Sequence, residues 1–237
     1  MENTILSRLY ECIDNFWKYY LKLEDDLLQT ERYLTIHNDN KKAFSIAYLQ
    51  LYLSIGSEID VIAKELCKVL DGSFDGDKIQ HYCKVITQYY PNFKQETIGV
   101  FSRDYDSITP WTPWDFTEGV NKNGKSYVTS SAVPSWWRHY NKIKHDRMGT
   151  NGSSNKKNYQ FANQENLISA LAGLYLLEMY YYTELLKKCK NTYGQIISKD
   201  DFLWISESKL FGISSLKTSP SGIAVFNDCD FCFYENC

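Results

Sequence analysis

At 237 residues, 43% of them apolar and 16% aromatic, the chain is long enough to bury a core and far from the charge-dominated, aromatic-poor profile of disorder. A formal charge of −3 gives no overall attraction to nucleic acid or anionic lipid, so either partner must be held by a local patch. No run of about 18 apolar residues suggests a membrane span, and Met1-Glu2-Asn3-Thr4 lacks the cationic start of a signal peptide, so no membrane partner is expected and the protein is placed in the cytoplasm.

From the start, Ile5, Leu9, Ile13, Phe16, Tyr20, Leu23 and Leu27 recur at three- and four-residue steps and predict an amphipathic helix over roughly 2–36. The polar turn His37-Asn38-Asp39-Asn40 breaks it. A second helix is expected over 41–70, through Phe44, Ala47, Leu51, Ile55, Ile59, Ile62 and Leu66, with Asp71-Gly72 at its end. Two long helices joined by a short turn imply an antiparallel hairpin, and a shorter helix over 77–89 follows, stopped by Pro91.

Between 92 and 133 the helical period disappears, and Gly, Pro, Asp and Trp111-Thr112-Pro113-Trp114 dominate. This reads as an ordered irregular insertion, with short strands near 97–101 and 127–129 and with Trp111 and Trp114 packed onto the bundle. Helix resumes at Pro134 and runs to about 148, followed by a flexible-looking break over 149–155. The last long helix, 164–190, presents Leu167, Leu171, Leu174, Tyr175, Met179, Tyr182 and Leu185 behind Asn163 as N-cap. Residues 200–237 read as a small hairpin or an extended strap. The expected fold class is therefore all-α: one domain over 1–237, a helical bundle built on the long antiparallel hairpin, with insertion 92–133 and strap 200–237.

Seven cysteines are an odd number. Cys12, Cys67, Cys83 and Cys189 fall within helical patterns and read as buried thiols. Cys229-x2-Cys232 with Cys237 is short of the four ligands of a closed zinc site, and no cofactor is expected.

Residues 135–147 concentrate two of the four histidines and four cations. On a helix, Arg138, Asn141 and His145 share one face through steps of three and four. A forked permanent cation, an orienting amide and an imidazole that exchanges protons near neutrality suit a phosphodiester. Lys142, Lys144 and Arg147, with Lys156 and Lys157 beyond, form a candidate phosphate-tracking patch; the bland alternative is a solvated face.

This stretch resembles the signature helix of the HEPN superfamily, in which an Arg and a His separated by four to six residues lie on a late helix of a bundle. Arg138-x6-His145 sits at the long end of that spacing, and Asn141-x3-His145 matches the usual Asn-to-His distance. The resemblance implies a metal-independent endoribonuclease of a defence or toxin type that acts on RNA as a homodimer, with an antitoxin or regulatory protein as a further partner. His145 would be the acid or base at the RNA 2′-hydroxyl, Arg138 the stabiliser of developing phosphate charge, and Asn141 their orienter. Glu58 is the candidate third group from the second helix, its alternative being an ion pair with Arg138. One departure stands out: the commonest motif has Arg directly before the Asn, and here that position is Tyr140. The competing expectation is thus a non-catalytic module that binds nucleotide, RNA or protein.

Overall fold

The computed structural model describes residues 4–152, 154–193, 205–213, 216–218 and 224–226. The first helical stretch comprises α1 (Ile5–Glu11), a π-helical segment (Cys12–Trp17) and α2 (Lys18–Gln29). It is followed by α3 (Ile46–Leu70), α4 (Ile79–Tyr89), α5 (Ser135–His145) and α6 (Gln164–Tyr193). Three helices, α1, α3 and α6, start where a polar side chain takes up an orphan amide: Thr4 accepts from Ser7 N, Ser45 from Tyr48 N and Asn163 from Asn166 N.

The π segment has a physical reason visible in what it buries. Cys12 and Trp17, five residues apart, are both core residues alongside Leu9 and Tyr20. In an α-helix a five-residue step swings about 140° round the axis. Wider winding over one turn brings Cys12 and Trp17 back to the same side, at the cost of poorer hydrogen bonds.

The α2–α3 pair expected as a hairpin does form, but α6 is the principal partner of α3. The two run in the same direction. Tyr48 at the start of α3 accepts from the Gln164 amide at the start of α6, and further along Glu58 lies beside Glu178 and Glu65 acts on Tyr181. The first helix runs the opposite way, with Phe16 against Tyr181, Tyr20 against Tyr175 and the carbonyl of Thr35 bound by Gln164.

The expectation of an all-α fold is corrected: the protein is mixed, with helices plus small antiparallel sheets. Within 92–133, β2 (Asp115–Val120) pairs with β3 (Ser126–Ala132). Their turn is set by Asn121, whose Oδ1 accepts from the backbone of Asn123 and Lys125, and by Gly124 at φ +75°. The strand β1 (Ile98–Val100) pairs with β6 (Phe211–Ile213), so part of the expected strap is a sheet partner of the insertion. Short pairs β4 (Thr150–Asn151) with β5 (Lys156–Lys157), and β7 (Leu216–Thr218) with β8 (Ala224–Phe226), complete the set. Strands this short carry too few alternations for a period-2 signal. Cys229, Cys232 and Cys237 lie outside the described residues.

The strap is seated by a buried carboxylate. Glu24 of α2 accepts from Tyr20 Oη, Ser208 Oγ and the backbone N–H groups of Lys209 and Leu210, while Trp17 Nε1 donates to Ser206 O. Trp111 and Trp114 are fully buried, with rings 4.2 Å apart, and Trp111 Nε1 donates to Gly173 O. Trp136 of α5 meets Trp111 edge-on at 5.2 Å and donates to Pro110 O. The insertion therefore docks α5 onto α6.

α5 also presses Tyr140 onto Gly56 of α3, so closely that a Cβ at residue 56 would fall within the ring's contact surface. Gly56→Ala gains about 1 kcal/mol of helix propensity but overpacks this contact, which costs roughly 1–3 kcal/mol. The expected outcome is net destabilisation, read as a lower urea midpoint with an unchanged slope; a rise in the midpoint would show that the ring moves aside freely.

Candidate functional site

α5 is amphipathic in the expected sense. Trp136, Trp137, Tyr140 and Ile143 are buried, whereas Arg138, Lys142, Lys144 and His145 are exposed and Asn141 is half-buried. Lys142, Lys144 and His145 occupy the last turn, where the helix carbonyls favour cations.

Asn141, Lys142 and His145 line an open hollow of about 460 Å³, completed by Asp146, Thr150, Asn151, Gly152 and Asn158. Arg138, one turn earlier, does not line it. The far wall comes from residues read as a flexible break, and it is ordered by hydrogen bonds. Asn158 Nδ2 donates to Asp146 O at 2.7 Å and Asn158 N to Gly149 O at 2.9 Å. Tyr159 N donates to Arg147 O, and Lys157 Nζ to Thr150 Oγ1. The Asp146 carboxylate folds over the space a Cβ at Gly149 would take. The density of Asn, Thr and Gly in 149–158 marked a turn, but not which side chains would brace it.

The side-chain amide of Asn141 donates to Trp137 O at 3.0 Å, so one of its groups is engaged with its own helix. Tyr140, at the position where the commonest HEPN motif carries Arg, is 3% exposed and faces α3, edge-on to Tyr52. Burial raises its hydroxyl pKa, and Lys144 lies over its ring at 5.6 Å. An arginine there would point into the core rather than into the hollow.

Glu58 is not brought to this site within one chain. On α3 it is two residues beyond Gly56, which meets α5, and so lies about 160° around the helix from that contact. Its carboxyl is half-buried, its pKa is raised by burial, and the charged neighbour it acts on is Glu178. No Glu58–Arg138 ion pair forms among the described residues. Nor do three or more His, Cys, Asp or Glu side chains come together among them as a metal-ligand set.

Sequence reasoning passed over His139. Its ring stacks on Phe161 at 4.2 Å, and its Nδ1 is buried without a partner. Burial lowers its pKa, a bond to Asn166 opposes that, and Lys142, Arg138 and Lys42 push it lower again. Phe161 closes the segment that walls the hollow, so His139 supports the site from behind.

Comparison with protein-family models, curated proteins and solved structures found no match for the chain.

A histidine whose folded pKa is depressed contributes stability that is present above its unfolded value, near 6.5, and lost as pH falls through the folded one. Wild-type protein should therefore lose more thermal stability between about pH 7 and 5 than His139→Gln. Melting curves at matched ionic strength give the comparison, and equal losses would remove His139 as a source of acid sensitivity.

Proposed function

We propose that the protein is an endoribonuclease of a defence or toxin type that cleaves RNA with its own side chains, acting at the outer face of α5 and the adjoining hollow as a homodimer. The observation that supports this most is electrostatic. Arg138, Lys142, Lys144, Arg147, Lys156 and Lys157 are exposed, and among the described residues none is paired with a carboxylate, whereas Lys18, Lys22, Lys42, Lys84 and Lys94 each hold one. In a chain of net charge −3, an unneutralised group of cations beside an exposed imidazole is the local patch an RNA backbone requires.

The reaction assigned to it is a transesterification. A base removes the 2′-hydroxyl proton as that oxygen attacks the adjacent phosphorus. The phosphorus–5′-oxygen bond breaks, an acid protonates the leaving oxygen, and a 2′,3′-cyclic phosphate results. His145 takes one of the two proton-transfer roles. Arg138 binds the charged phosphate oxygens. Asn141 orients the strand through the carbonyl end of its amide, and Lys142 and Lys144 track flanking phosphates. The internal nucleophile lets positioning supply much of the rate.

Two observations favour a second reading, a module that binds RNA, nucleotide or a protein partner without turnover. Tyr140 is spent on the core contact with Gly56, and the Asn141 amide is bonded to the Trp137 carbonyl. Both leave the hollow with fewer polar groups than the resemblance implies.

His145 is exposed, so replacing it should leave folding intact. His145→Ala is expected to lower cleavage of single-stranded RNA by about 100-fold or more with an unchanged helical circular-dichroism signal, while Lys142→Glu with Lys144→Glu weakens RNA retention. If the wild-type protein retains RNA and never yields cyclic-phosphate ends, the binding reading replaces the nuclease.

A further inference from the structure

Among the described residues two glutamates lie wholly inside the bundle, and the fold treats them oppositely. Glu24 is surrounded by four donors. Glu178, on α6, is 0% exposed, and neither Oε1 nor Oε2 has a hydrogen-bond partner. A carboxylate left like this would lose its hydration with nothing in return, a cost that drives such groups to stay protonated.

The groups that bear on Glu178 make ionisation harder still. Across from it α3 supplies Glu58, a second carboxyl, while the Cys12 thiol of the π segment is itself raised in pKa, by burial first and the Glu178 charge second. On neighbouring Tyr181 the acting charges are Glu65, Arg8 and Glu11, with Cys12 again. Among the described residues no lysine, arginine or histidine forms an ion pair with either Glu58 or Glu178. The segment opposite, Cys12–Trp17, is also the one piece of the first helix wound with weaker π-type bonds. It holds the strap through Trp17 and, one turn on, Tyr20.

We propose that Glu58 and Glu178 form a proton-holding pair at the junction of α3, α6 and the π segment, in which neutral Glu178 keeps Cys12–Trp17 seated and loss of its proton as pH rises unlatches that segment. The proposal is independent of the RNA reading. Burial first, and the Glu58 charge second, raise the Glu178 pKa well above the ordinary carboxylate value. An acid whose folded pKa is raised binds its proton more tightly when folded. Its stabilising contribution is complete below the unfolded value and is lost as pH rises from there through the folded one. This is opposite in sign to the acid sensitivity of His139.

The test is thermal unfolding of the full chain from pH 6 to 9, with alkylation of Cys12 followed by mass spectrometry. Wild-type protein should lose melting temperature across this range and show increasing Cys12 modification relative to Cys67. Glu178→Gln keeps the shape and cannot ionise. It should flatten that loss, raise the melting temperature at pH 9 by roughly 4 °C or more, and suppress the rise in Cys12 modification. Glu178→Met, apolar and of similar length, should do the same, and Glu58→Gln should have a smaller effect in the same direction. Parallel wild-type and Glu178→Gln profiles would overturn the proposal. So would a failure of both Glu178 variants to fold, or their being less stable than wild type even at pH 9, since either result means that the carboxyl has a partner it needs.

Discussion

The architecture depends on α6 being enclosed on every side. From Ala170 to Thr183 every residue is buried, so no face of this helix is left for water. A helix in that position cannot be served by one partner. α3 covers one side, the first helix a second, and α5 with Trp111 a third through the Gly173 contact. Phe93 and Tyr90 close a fourth against Tyr180, and Phe211 of the strap reaches Tyr175. The insertion and the strap are therefore parts of the core's enclosure, and this is why irregular sequence carries fully buried tryptophans.

The same constraint places the candidate site. α5 is short, and eleven residues hold little helix by themselves. Its orientation is fixed by Trp136 in the indole cluster and by Tyr140 on Gly56. Tyr52 Oη donates to the Trp136 carbonyl, adding a polar pin. With those side chains turned inward, the charged residues two positions on, Arg138 and Lys142, must face outward. The position before Asn141 is accordingly needed for packing.

Helix existence was legible in the sequence because apolar residues at three- and four-residue steps survive errors of a few residues at either end. The π turn was not, since a five-residue step from Cys12 to Trp17 only makes sense once α6 is known to lie against both. α6 was read as striped when it is buried without a break from Ala170 to Thr183. Glu178, Tyr180 and Tyr181 lie outside that stripe and are buried all the same. The all-α expectation failed for a related reason: β1 finds its partner β6 more than a hundred residues away, and a three-residue strand has no local signature of such a partner.

For the site, the exposed face of α5 could be read because exposure follows from the period of a single helix. The hollow could not, because its far wall depends on Asn158 reaching back to the Asp146 and Gly149 carbonyls. Glu58 shows the limit of reasoning from stripes. Its place beside Ile55, Ile59 and Ile62 correctly marked a carboxyl near the core, but a stripe does not say which neighbour that face meets. The helix rotation between Gly56 and Glu58 settles it, turning the carboxyl away from α5 and toward Glu178. An acid read as a third group of the site, or else as a partner for Arg138, thereby becomes the neighbour of another acid, and burial raises its pKa.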